Sequence, residues 1–62
     1  MKAKDTILEE GKEYPVIYSS DKTFTYATTY INGLKLVGYG TDAELAYWNL
    51  GQRIYSTFHF SL

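Results

Sequence analysis

The chain has no cysteine. No disulfide can staple it, and no thiolate can hold a metal; that absence fits a reducing compartment. It has one histidine, His59, which cannot build a zinc site alone. Charge of one sign is also lacking, with six basic residues against seven acidic. Lys2, Lys4, Lys12, Lys22, Lys35 and Arg53 are scattered, and acids stand among the first three. No basic stripe is there to neutralise phosphates, so nucleic acid is not an expected partner. No apolar run approaches the ~20 residues of a membrane span. Met1-Lys2-Ala3-Lys4-Asp5 is charged with no apolar stretch behind it, so it does not read as a signal peptide. The expected location is the cytoplasm, with no membrane association.

Sixty-two residues make one small domain. Such a domain buries only about 60% of the surface its unfolded chain exposes. Without disulfide or thiolate-bound metal, self-association or partner binding is the remaining way to bury more. Aromatic residues are abundant by contrast: seven tyrosines, three phenylalanines and one tryptophan. They suit pleated sheet surfaces, and Tyr and Trp are also enriched where proteins bind one another.

Residues 1–13 are polar around Ile7-Leu8 and are compatible with a capped helical turn, an edge strand or a flexible, partner-ordered segment. Residues 14–19 read as a strand, with Tyr14, Val16 and Tyr18 on one side and Pro15, Ile17 and Ser19 on the other. Pro15 cannot donate to a ladder, which places it at an edge or at the strand's start. Ser20-Asp21-Lys22 is a turn, and 23–31 is a second strand rich in Thr and aromatics. Asn32-Gly33 suits a two-residue type I′ turn into a third strand, 34–39. Such a turn pairs Ile31 with Leu34, Thr29 with Leu36 and Ala27 with Gly38 on one face. Tyr30 then faces Lys35, Thr28 faces Val37 and Tyr26 faces Tyr39 on the other, where Phe24 joins them. Both faces are partly apolar, and one helix covers only one of them.

That helix is predicted over about 42–55, capped by Thr41 or Asp42, with Glu44 near its start and Arg53 near its end. Apolar positions 43, 46, 47, 50, 54 and 58 repeat at helical spacing. Ala43, Ala46 and Gly51 imply close approach to the sheet, Gly51 because a helical glycine costs about 1 kcal/mol relative to alanine. Leu45, Trp48 and Tyr55 make a second stripe beside the first. The alternation Phe58, Phe60, Leu62 suggests a short terminal strand. The expected fold is therefore α+β, a three-stranded antiparallel sheet with one C-terminal helix on one face.

No catalytic constellation is legible. Asp21 is explained by its turn and Asp42 and Glu44 by helix capping, while His59 reads as a solvent-facing strand residue. Asn49 reads as a helix residue bonding a nearby backbone. Serines 19, 20, 56 and 61 lack a strained elbow or a base. Gly38-Tyr39-Gly40 leads into a helix but lacks the remaining glycine of a dinucleotide fingerprint. No catalytic residue, cofactor or metal site is expected, and the chain reads as a non-enzyme.

Gly40, Glu44, Ala46, Asn49, Leu50 and Ile54, preceded by three strands, form a pattern that resembles the HicB family, the antitoxins of HicAB toxin–antitoxin pairs. Thr41-Asp42 stands where the family has Asp-Thr, and Tyr14-Pro15-Val16-Ile17-Tyr18 is similar to its opening strand. The likeness covers roughly residues 14–55. The family's proline-rich hairpin tip is replaced here by Tyr30-Ile31-Asn32-Gly33-Leu34, and no C-terminal DNA-binding segment fits, so operon autorepression is not expected. The resemblance implies a module that masks a partner protein such as a toxin. An alternative from size and aromatic content is a phage or mobile-element inhibitor that occludes a host defence protein. Either way a homo-oligomer or a protein partner is expected. The expected contact residues are Phe24, Tyr26, Tyr30, Val37 and Tyr39 on the sheet, with Trp48 and Tyr55 on the helix.

Overall fold

A computed structural model of the chain describes residues 4–59. Five strands precede one helix: β1 (Thr6–Glu9), β2 (Lys12–Pro15), β3 (Ile17–Ser20), β4 (Thr25–Ile31), β5 (Leu34–Gly40) and α1 (Ala43–Phe58). Strands β3-β4-β5 form a three-stranded antiparallel sheet, and β1-β2 form a separate hairpin. Three strands followed by a helix is the expected order; the N-terminal hairpin is an addition to it.

The Asn32-Gly33 turn sets the register of β4 and β5 as its chemistry requires. Both residues have positive φ, 54° and 80°, the type I′ condition. Ile31 pairs with Leu34, Thr29 with Leu36, Ala27 with Gly38 and Tyr26 with Tyr39, as predicted. The N-terminal hairpin uses the same device. Glu10 and Gly11 have φ of 56° and 76°, so a Glu-Gly pair holds the turn between β1 and β2. The described part of the N-terminal segment, residues 4–13, therefore contributes a strand and the start of another, not a helix.

The single strand expected over 14–19 is two strands in different sheets. Val16 separates β2 from β3 and is buried in the core. Its amide donates to the Asp5 carbonyl at 2.7 Å, and the Thr29 hydroxyl donates to the Pro15 carbonyl at 2.8 Å. These bonds turn the chain out of the hairpin and into the sheet. Pro15 ends β2 opposite Thr6, where its missing N–H is tolerated.

The helix begins at an Asp42 cap, whose carboxylate accepts from the Leu45 amide at 2.8 Å. Ala46, Leu50 and Ile54 are its buried stripe. They pack on Ala27, Ile31 and Leu36 of the sheet, with Ile7 and Val16 from the N-terminal segment completing the core. The hairpin and the helix thus share the job of covering one sheet face. Phe58 lies in the last turn of α1 rather than in a strand, and His59 caps the helix; Phe60 and Leu62 lie outside the described residues.

Close approach of helix to sheet occurs at glycines of β5, not at Gly51. A Cβ on Gly38 would lie 2.5 Å from Leu50 Cα and 2.7 Å from the Ala46 carbonyl oxygen. A Cβ on Gly51 would meet only Ile7 Cδ1, at 4.0 Å. No helix among the described residues is long and apolar enough to cross a membrane.

Candidate functional site

Side chains alternate across a strand, so the pairing assigns each residue to a face. Ala27, Thr29, Ile31 and Leu36 point to the core and are buried. The outer face carries three rows: Ser19, Tyr26 and Tyr39; Ile17, Thr28 and Val37; then Tyr30 and Lys35. Tyr39 and Tyr30 are 55% and 54% exposed, and Ile17 is 63% exposed. The helix and the hairpin lie on the opposite side, so none of these rows is covered by the fold.

The first row is organised by Asp21. Its carboxylate accepts from the amides of Thr23 and Phe24, both at 2.8 Å, and from the Tyr26 hydroxyl at 2.7 Å. These bonds, the Phe24 amide first, hold the Asp21 carboxyl below its ordinary range. The same carboxylate raises the Tyr26 phenol. Phe24 meets Tyr39 edge-on at 5.2 Å between ring centroids, and Tyr26 lies 6.3 Å from Tyr39. The Tyr39 backbone is held from the other side by Asn49, whose side-chain amide donates to its carbonyl at 2.6 Å. The result is a fixed aromatic cluster in which Tyr39 is exposed and Phe24 and Tyr26 are half-buried.

Five of the seven expected contact residues therefore share one surface: Phe24, Tyr26, Tyr30, Val37 and Tyr39. Trp48 and Tyr55 are exposed as well, but on the helix, on the far side of the sheet. They belong to a second surface, where Tyr55 stacks on His59 with centroids 5.5 Å apart. Ile17 was missed. Reading 14–19 as one strand gave its side but not its partners; pairing with Thr28 places it in one row with Thr28 and Val37.

His59 faces solvent as expected, but it caps α1 and does not stand in a strand. Its Nε2 is 2.6 Å from Glu9 Oε2 and 3.7 Å from Glu10 Oε2. Among the described residues, Glu9, Glu10 and His59 are a group whose side chains could hold a metal ion, with ligand atoms all within 4.8 Å of one another. Asp42 and Asp21 are occupied with the backbone bonds already described.

No protein-family profile matches the chain, and neither a curated protein nor a solved structure matches it.

Proposed function

We propose that the chain is a non-enzymatic protein-binding module that acts in the cytoplasm by covering a partner's working surface. The outer face of β3-β4-β5 is the contact. The observation that carries this reading is the Phe24–Tyr26–Tyr39 cluster, locked by Asp21 and Asn49, with Tyr39 exposed and its two neighbours half-buried beside it. A contiguous apolar face left open on a small domain marks an interaction site. Rigid aromatic side chains lose little entropy on contact. In the free chain the same face stacks on a second copy, giving a homodimer; in the presence of its partner it docks there instead. The HicB-like strand and helix pattern makes a toxin the favoured partner class, acting through masking alone.

The test is solution mass at high micromolar concentration, paired with capture of a partner encoded beside the gene. The native chain runs as a dimer and binds its partner in stoichiometric amount. Tyr39→Asp and Ile17→Asp give monomers and lose the partner while remaining folded; Trp48→Ala changes neither. A monomeric native chain, no captured partner and no effect of either aspartate would overturn the reading. Capture of a host protein in place of a toxin would assign the module to inhibition of that host protein.

A further inference from the structure

We propose that Glu9, Glu10 and His59 bind a divalent transition-metal ion of the zinc class, clamping the N-terminal hairpin to the end of α1. Fifty residues separate Glu9 from His59 in sequence, yet the fold brings one imidazole nitrogen against two carboxylates. The ligand atoms are all within 4.8 Å of one another. An ion with ligand bonds near 2.0–2.2 Å holds tetrahedral ligand atoms about 3.4 Å apart. The 3.7 Å separation of Glu10 and His59 is already close to that. The 2.6 Å pair of Glu9 and His59 opens by under ~1 Å when Nε2 exchanges its hydrogen bond for the ion.

Three further observations favour a cation here. Among the described residues, His59 is the only ion-pair partner of either carboxylate, so two negative charges share one imidazole. Glu9 is held, its side chain only 11% exposed. The His59 ring plane is set by stacking on Tyr55, 25° from parallel. Beside the group, Ile7, Gly51 and Ile54 floor an open concavity of about 260 Å³. Donor type selects the ion. Calcium and magnesium take oxygen ligands, whereas an imidazole nitrogen with carboxylates suits zinc and its neighbours. Three protein ligands leave a further position for water or a group from a partner. A bound ion would tie residues 9–10 to residue 59 in a chain that has no disulfide, and binding to the folded state alone stabilises it.

The experiment uses the 62-residue chain, stripped with a chelator and titrated with zinc chloride. The readouts are the ring-nitrogen resonances of His59, unambiguous because it is the only histidine, and the unfolding temperature. Zinc should shift the His59 Nε2 signal with one-to-one stoichiometry and raise the unfolding temperature. His59→Ala, which has no imidazole signal to follow, should abolish the rise in unfolding temperature. Glu10→Gln alters an exposed side chain whose ion pair among the described residues is with His59. It should keep the fold and weaken zinc at least about tenfold, since loss of even an outer-shell partner costs that much. Magnesium at the same concentration should leave the histidine unmoved. An unshifted His59 signal, or zinc bound as tightly by Glu10→Gln as by the native chain, would overturn the proposal. Equal binding of magnesium would overturn the assignment of the ion.

Discussion

The side-chain amide of Asn49 donates to the Tyr39 carbonyl at 2.6 Å, so a helix residue occupies a hydrogen-bonding position on the edge of the sheet. Among the described residues, strand β5 has no neighbour beyond β4. In the observed register Lys35, Val37 and Tyr39 turn their backbone groups away from β4. Open edges of this kind invite unwanted pairing. Asn49 closes the end of the edge nearest the aromatic cluster and fixes the Tyr39 backbone at the same time. Asn49→Ala should cost about 1 kcal/mol, the net worth of one hydrogen bond. A shifted midpoint in urea unfolding would show it, and an unchanged midpoint would mean that water replaces the amide without loss.

The two glycines facing the helix–sheet contact and the helix surface should respond with opposite sign. Gly38→Ala places a methyl 2.5 Å from a backbone carbon of Leu50, and overpacking against backbone costs roughly 1–3 kcal/mol or more. Gly51→Ala adds a methyl with no neighbour inside 4.0 Å, so helix propensity should stabilise it by up to about 1 kcal/mol. Denaturant unfolding of both variants is the measurement. A destabilised Gly51→Ala would restore the expectation that Gly51 is the point of close approach.

Gly33→Val should lose at least ~1 kcal/mol, because its φ of 80° is disfavoured for a residue with a Cβ and more so for a branched one. Gly11→Val, at φ 76°, should lose a similar amount. Thermal melts that left both unchanged would contradict the paired type I′ turns.

Acid should loosen the aromatic cluster through Asp21. Hydrogen bonds from Phe24, Tyr26 and Thr23 depress its folded-state value. A depressed carboxyl contributes stability above its unfolded value near ~4 and loses it as pH falls through the folded value. Melts taken from neutral pH down to below ~3 should therefore converge for the native chain and Asp21→Asn, with the native chain ahead at neutral pH. Parallel curves across that range would remove Asp21 from the account.

Alkali should act on the other side of the fold. The Tyr18 hydroxyl donates to the Lys4 carbonyl at 2.6 Å, and the Tyr47 hydroxyl donates to the Thr6 carbonyl at 2.9 Å. Burial raises both phenols, with Tyr47 and Asp5 adding to Tyr18 and Glu13 adding to Tyr47. A raised phenol contributes stability fully below its unfolded value near ~10 and loses it as pH rises through the folded value. Above pH ~10 the hairpin should detach first, visible as faster amide exchange in β1 and β2 than in β4. Simultaneous loss of all strands would show that the phenols do not govern the hairpin.

How far the sequence was readable depended on turn chemistry. Asn32-Gly33 admits one register, and from it the whole aromatic face followed, Tyr26 opposite Tyr39 included. The N-terminal hairpin turns on Glu10-Gly11, and glutamate carries no signal for positive φ, so 1–13 could not be resolved. The β3–β4 connection runs through a longer turn, closed by the Asp21 amide on the Phe24 carbonyl at 2.9 Å. Its pairing is not fixed by length, and Ile17 was lost from the face for that reason. The grouping of His59 with Glu9 and Glu10 depends on contacts across fifty residues, which no local pattern encodes.

Every strand in this fold pairs only with its neighbour in sequence, β1 with β2, β3 with β4, and β4 with β5. Short loop closures cost little chain entropy, so each hairpin can form early and independently. The late event is then the seating of β1-β2 beside α1, which joins Thr6 to Tyr47 and Glu9 to His59. A folding intermediate lacking only that seating would already display the complete outer sheet face. The surface proposed for partner binding would be available before the chain has finished folding, while the metal-binding group would exist only after it.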